Sequence, residues 1–187
     1  MEDTNLRADA RRNRDALVAV ARTVFAEEGT DASLRDVARR AGVGIGTLYR
    51  HFPTREALLE AVVRDGFDVL RDLADAMLAE PSPRQALATW MWRFSANSGA
   101  CRGLSGSVLT GLHDQDSELH ASSEAMHMAA SRLLAKAQEA GEIREGVTAT
   151  DLITMAAAAG WVAQITDEDQ SRRMLAVLMD GLTPVDG

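Results

Sequence analysis

Apolar residues recur along this chain at intervals of three and four, and no stretch alternates apolar with polar residues as a half-buried strand would. The pattern predicts an all-α fold of about nine helices. Leu17, Val20, Ala21, Val24 and Phe25 make the buried stripe of a helix over 14–28, ended by Gly29; residues 1–13 show no period and predict a flexible basic tail. Leu34, Val37, Ala38 and Ala41 share one face of a short helix that Gly42 stops, and Leu48 and Phe52 are the inward positions of another beginning near Gly44. A fourth helix over 54–79 follows Pro53, with Thr54 as its cap; at 1.5 Å per residue it spans about 37 Å, long enough to belong to two domains. Ser82 and Pro83 open a helix over 83–96, and the Gly- and Ser-rich stretch 97–106 breaks the pattern. A short apolar piece at 107–112 and a helix over 117–140, stopped by Gly141, come next. Two more helices begin at the capping-box pairs Thr148/Asp151 and Thr166/Asp169.

The stretch 33–52, SLRDVARRAGVGIGTLYRHF, concentrates the polar chemistry. Ser33 can cap its first helix, with Asp36 reciprocating three residues on. Once Leu48 and Phe52 are turned inward, the second helix is left with Ile45, Gly46, Thr47, Tyr49, Arg50 and His51 facing out. Two short helices joined by a glycine turn form a helix-turn-helix, whose second helix fits a DNA major groove.

With its flanks, VFAEEG at 24–29 and PTREALLEAV at 53–62, this block resembles the DNA-binding domain of the TetR family of transcriptional regulators. The resemblance covers roughly the first third of the chain. It implies a DNA-binding domain over 14–62 and a C-terminal effector-binding and dimerisation domain over 63–187. It also implies a ligand-responsive regulator, most often a repressor, that binds an inverted-repeat operator on double-stranded DNA as a homodimer and is not an enzyme. The family's DNA contacts map to Ser33, Arg35, Gly44, Ile45, Gly46, Thr47, Tyr49, Arg50, His51, Thr54 and Arg55. Arg35 is placed to reach a guanine edge, Thr47 and Ile45 a base edge or thymine methyl, and Tyr49 and His51 the phosphates, with Arg50 and Arg55 adding charge beside them. Arg7, Arg11, Arg12 and Arg14 could serve as a minor-groove arm or as a solvated tail.

Charge changes the picture only when it is divided. The whole chain carries −8, yet residues 1–56 sum to +1 and residues 57–187 to −9, so the acidic excess lies outside the reading head. The charged N-terminus has no secretory character, no apolar run suits a bilayer, and a single Cys101 excludes an internal disulfide; together they predict a cytoplasmic protein without membrane contact.

The last two helices are apolar around most of their circumference, which calls for cover on more than one side. Ile153, Ala157, Gly160, Met174, Leu175 and Leu178 are the expected homodimer interface. A small, largely apolar effector is expected among Trp90, Met91, Phe94, Leu109, Met126, Met155 and Trp161, with no cofactor required. Three other readings are open. His120, Glu124 and His127 would share a helical face and could answer to a metal. Cys101 with His113 has the elements of a nucleophile and base but no orienting group. A helical protein-interaction module without DNA binding would make the pattern at 44–55 coincidental.

Overall fold

The computed structural model describes residues 2–98 and 106–184, and among them it folds nine helices and no strand. These are α1 (Glu2–Glu28), α2 (Leu34–Arg40), α3 (Ile45–His51), α4 (Arg55–Met77), α5 (Pro83–Ser98), α6 (Gly106–His113), α7 (Glu118–Glu139), α8 (Ala149–Ile165) and α9 (Glu168–Gly181). Most boundaries fall within two residues of those the apolar period predicts.

The N-terminus departs from expectation: α1 starts at Glu2, not near Arg14. Residues 9–12 are exposed, so no apolar period marks them. Alanine and arginine favour the helix nonetheless, and an Arg12–Asp9 pair at i,i+3 supports it.

Helix ends follow local chemistry. Gly29, Gly42 and Gly141 all take positive φ, as left-handed terminating residues do. Ser82 and Thr54 cap α5 and α4 by accepting from Gln85 N–H at 3.3 Å and Ala57 N–H at 3.1 Å. The Thr148/Asp151 capping box is complete. For α9 the cap lies one residue later than predicted. Asp167 accepts from Gln170 N–H at 2.6 Å, while the Thr166 hydroxyl donates back to the Val162 carbonyl at 2.9 Å. A carboxylate outcompetes a hydroxyl for the positive end of a helix.

The chain divides into two units: Met1–Asp65 with Ala100–His120, and Gly66–Gly99 with Ala121–Gly187. The sequence puts everything after residue 62 in one domain, but α6 and the first turn of α7 belong to the N-terminal unit. There Val108 and Leu119 are buried, and Glu118 pairs with Arg64 of α4. The core of the first unit is built on Leu17, Val24, Phe25, Val37, Leu48 and Leu58, all without exposure.

Trp90 and Met91 centre the second core, which α4, α5, α7, α8 and α9 all supply. The Trp90 indole N–H donates to the Leu70 carbonyl at 2.9 Å, and its ring packs tilted on Phe94 at 5.5 Å. Where α8 crosses α5, Gly160 lies so close to the Ser95 carbonyl that a Cβ would overlap it. Beside this crossing the Ser171 hydroxyl donates to the Ala159 carbonyl at 2.8 Å and meets Ser95 Oγ at 3.3 Å, so the buried polar atoms joining α5, α8 and α9 satisfy one another.

Candidate nucleic-acid interface

The turn between α2 and α3 is made by backbone alone. Val43 N–H donates to the Ala38 carbonyl at 3.0 Å and Gly42 N–H to the Arg39 carbonyl at 3.2 Å, the paired bonds of a Schellman motif. Gly42, at φ +70°, is the residue that permits it. Leu34, Val37 and Ala38 bury one side of α2, while Leu48 and Phe52 pin α3 from below. Arg14 lies over the Phe52 ring at 5.5 Å, so this arginine seals the bottom of the head, and nothing here gives it the minor-groove role weighed above.

Ser33 sits at the N-cap of α2 but makes no side-chain cap bond. The expected capping box with Asp36 does not form. Arg39, at i+3, and Arg40, at i+4, draw the Asp36 carboxylate along the helix; Arg39 Nε–H donates to it at 3.1 Å. The Arg39 guanidinium, followed by Arg40, holds the Asp36 carboxyl below the usual carboxylate range. Backbone bonds from Asp36 and Val37 to the Ser33 carbonyl, at 3.0 and 3.1 Å, start the helix instead.

The arginines of this unit fall into two groups. Arg22 pairs with Asp65, Arg40 bridges to Glu27 and Glu28, and Arg64 pairs with Glu118. Arg55 also belongs with these. Its Nη1 donates to the carbonyls of Thr30 and Ala32, each at 2.7 Å, so it braces the α1–α2 connection from the start of α4. Sequence reasoning missed that role, because carbonyl acceptors leave no mark in side-chain spacing. By contrast Arg35 and Arg50 are exposed and, among the described residues, engage nothing in the chain.

Tyr49 is 49% exposed and likewise has no internal partner. Gly44 and Gly46 are exposed too, and Ile45, Thr47 and His51 are half-buried. Ser33, Arg35, Gly44, Gly46, Tyr49 and Arg50 thus present an outward surface with uncommitted donors, a hydroxyl-bearing ring and open backbone, with Ile45 and Thr47 half-buried among them, while Thr54 caps α4 close by in sequence.

In the second unit two sets of expected residues are redistributed. Trp90, Met91, Phe94 and Met126 are buried core, and Met155 packs partly against it. The side chain of Leu109 and all of Cys101 lie outside the described residues. Trp161 is 61% exposed and does not belong to that cluster. It stands four residues from exposed Ala157, whereas Ala156, Ala159 and Gly160 turn inward. Gly160 and Leu175, expected at a subunit interface, are buried within the subunit, Gly160 by the α5 crossing and Leu175 in the core. Ile153, Met174 and Leu178 are half-buried against that core. The outward apolar set is Ala157 and Trp161 with Ile165 on α8 and Val177 on α9, the last 71% exposed.

Among the described residues no group of His, Cys, Asp or Glu is placed to hold a metal ion. The His120 Nδ1 is engaged with the Leu112 carbonyl at 2.8 Å, so the metal reading is not carried further. No described helix is long and apolar enough to cross a membrane.

Comparison with known proteins agrees with this geometry. Residues 17–62 match the family of bacterial regulatory proteins of the tetR type, and residues 82–184 match the C-terminal domain of SbtR-like transcriptional regulators. The crystal structure of the TetR transcriptional regulator SCO0520 from Streptomyces coelicolor is 38% identical, with TM-score 0.76 over 92% of this chain and 99% of that one. A TetR regulatory protein from Mycobacterium vanbaalenii is 34% identical, with TM-score 0.68 over 96% and 99%. Among curated relatives, the transcriptional repressor KstR2 of Mycolicibacterium smegmatis is 45% identical over 58 residues, which are 30% of this chain and 28% of that protein. A transcriptional regulator of Staphylococcus aureus is 37% identical over 65 residues, 34% of this chain and 35% of its own length. The chain therefore spans about a third of the length of these curated relatives. It is a DNA-binding transcriptional regulator and belongs to the TetR family.

Proposed function

We propose that this regulator is a repressor that binds an inverted-repeat operator as a homodimer and lets go when a small, largely apolar effector binds its second unit. The observation that carries the reading is the division among the arginines. Seven are tied to partners inside the first unit, while Arg35 on α2 and Arg50, next to the exposed Tyr49 on α3, stand uncommitted. A surface that leaves strong donors unused next to a groove-sized helix is suited to phosphates and base edges. The name of KstR2, alike over the head, favours the repressing sign.

Few polar side chains stand at 44–47, so indirect readout of DNA shape supplements Arg35 and Thr47. Dimerisation uses the outward apolar set on α8 and α9. Two copies of that pair form a four-helix contact, and the twofold axis sets the half-sites about 34–36 Å apart. The protein acts in the cytoplasm, where bacterial DNA lies.

The test is selection of genomic fragments by the purified protein, followed by anisotropy titration on the fragments recovered. Recovery of an inverted repeat with steeply salt-weakened affinity is the expected result. Fragments that share no repeat, or an affinity indifferent to salt, would refute the mode.

A further inference from the structure

A groove of about 560 Å³ runs between α5 and α9 of the second unit, within the range of small-molecule sites. No role assigned above uses it. One side is apolar, formed by Leu175, Ala176 and Met179. The charged groups along it are Arg84, Arg172 and Asp180, and the Trp92 ring stands at the Arg172 end.

The charges do not cancel. Arg84 ties the start of α5 to the end of α9: its Nη2 donates to the Met179 carbonyl at 3.1 Å and to Asp180 Oδ1 at 2.9 Å. Asp180 is thereby paired with Arg84. The Arg84 Nε–H is buried and has no acceptor among the described residues. At the other end Arg172 lies over Trp92 at 5.4 Å and Arg93 over the same ring at 4.8 Å. Neither has a carboxylate partner among the described residues. Two guanidinium groups on one ring repel each other, and a bound anion would relieve that repulsion. This positive end stands out in a region of sequence, 57–187, that carries a net −9. Along α9, from Arg172 to Asp180, the groove offers about 12 Å of helix at 1.5 Å per residue.

We infer that the α5–α9 groove binds a small monocarboxylate with an aromatic or medium-chain body, and that this is the effector site. The carboxylate sits at the Arg172 and Trp92 end, and the apolar body lies along Leu175, Ala176 and Met179. The inference rests on the regulator reading for its effector role, but not for binding itself. It also moves the site away from the buried Trp90, Met91, Phe94 and Met126, which core packing already occupies.

The test is calorimetry on the full-length protein with octanoate and 4-phenylbutyrate, each against its primary amide. The expected result is a Kd below about 1 mM for at least one acid and at least about tenfold weaker binding of its amide. Two variants at exposed positions, Arg172→Gln and Ala176→Trp, should each weaken the acid about tenfold while the ligand-free melting temperature stays in place. Should one of them fail to fold, the other decides. Absence of binding by both acids, equal binding of an amide, or indifference to both variants overturns the site. The bound acid should also weaken operator affinity at least about fivefold. Binding without that shift overturns the effector role. A protein that captures no DNA at all would instead sink the repressor reading, and the calorimetry would still decide the groove.

Discussion

Gly160 of α8 meets the Ser95 carbonyl of α5 with no room for a Cβ between them, and Ser98 Cβ would stand 3.0 Å from the same added atom. The small-residue run from Ala156 to Gly160 is therefore, at its last position, a device for bringing two helices of one subunit together.

Gly160→Ala should destabilise the second unit despite alanine's better helix propensity. Overpacking against backbone costs about 1–3 kcal/mol, more than the roughly 1 kcal/mol of propensity gained. Thermal unfolding of the variant should begin earlier than in the parent protein. An unchanged or raised melting temperature would show that the crossing yields easily.

Arg55 and Tyr49 should separate structure from reading. Arg55→Met removes the donor that the Thr30 and Ala32 carbonyls share, at a cost of about 1–3 kcal/mol, so its melting temperature falls. Tyr49→Ala and Arg35→Ala remove exposed groups with no internal partner and should leave the melting temperature within error, while operator affinity drops about tenfold or more. Anisotropy and calorimetric scans on the same samples check both halves.

Sedimentation should report the outer face of α8 and α9. The parent protein is expected as a dimer of 20.1 kDa chains, and Trp161→Asp combined with Val177→Asp as single chains. A double variant that still sediments as a dimer would move the interface elsewhere.

Acid stability should carry the signature of the Thr148/Asp151 capping box. Bonds from the Thr148 hydroxyl and backbone N–H hold the Asp151 carboxyl below its usual range. A depressed folded-state value means the stabilisation is complete above the ordinary carboxylate pKa and disappears as pH falls through the lowered one. Asp151→Asn should thus lower stability at neutral pH and lose less than the parent protein as pH falls below about 4. Melting temperatures from pH 7 to 2 give the comparison.

The elements were legible because amphipathic stripes and glycine stops are local signals. The stripe of Leu17 to Phe25 and the stop at Gly42 need nothing from the rest of the chain. What was not legible depended on competition. Asp36 could cap α2 or pair with Arg39 and Arg40, and only the geometry shows the pairs prevailing. Trp161 and Trp90 look alike as apolar residues on helices, yet one is exposed and the other fully buried, because the side of α8 that turns inward is set by Gly160. Residues 9–12 show no stripe, since exposed positions of a helix are free to be polar all round.

Gly44 and Gly46 have nothing within 4 Å of where a side chain would begin, and the turn that aims their helix is closed by main-chain bonds at Ala38, Arg39 and Gly42. Aim and vocabulary are therefore separable in this head. New side chains can be written into positions 44 and 46 without moving the scaffold, so under the proposed mode of binding a change of target sequence lies only one or two substitutions away.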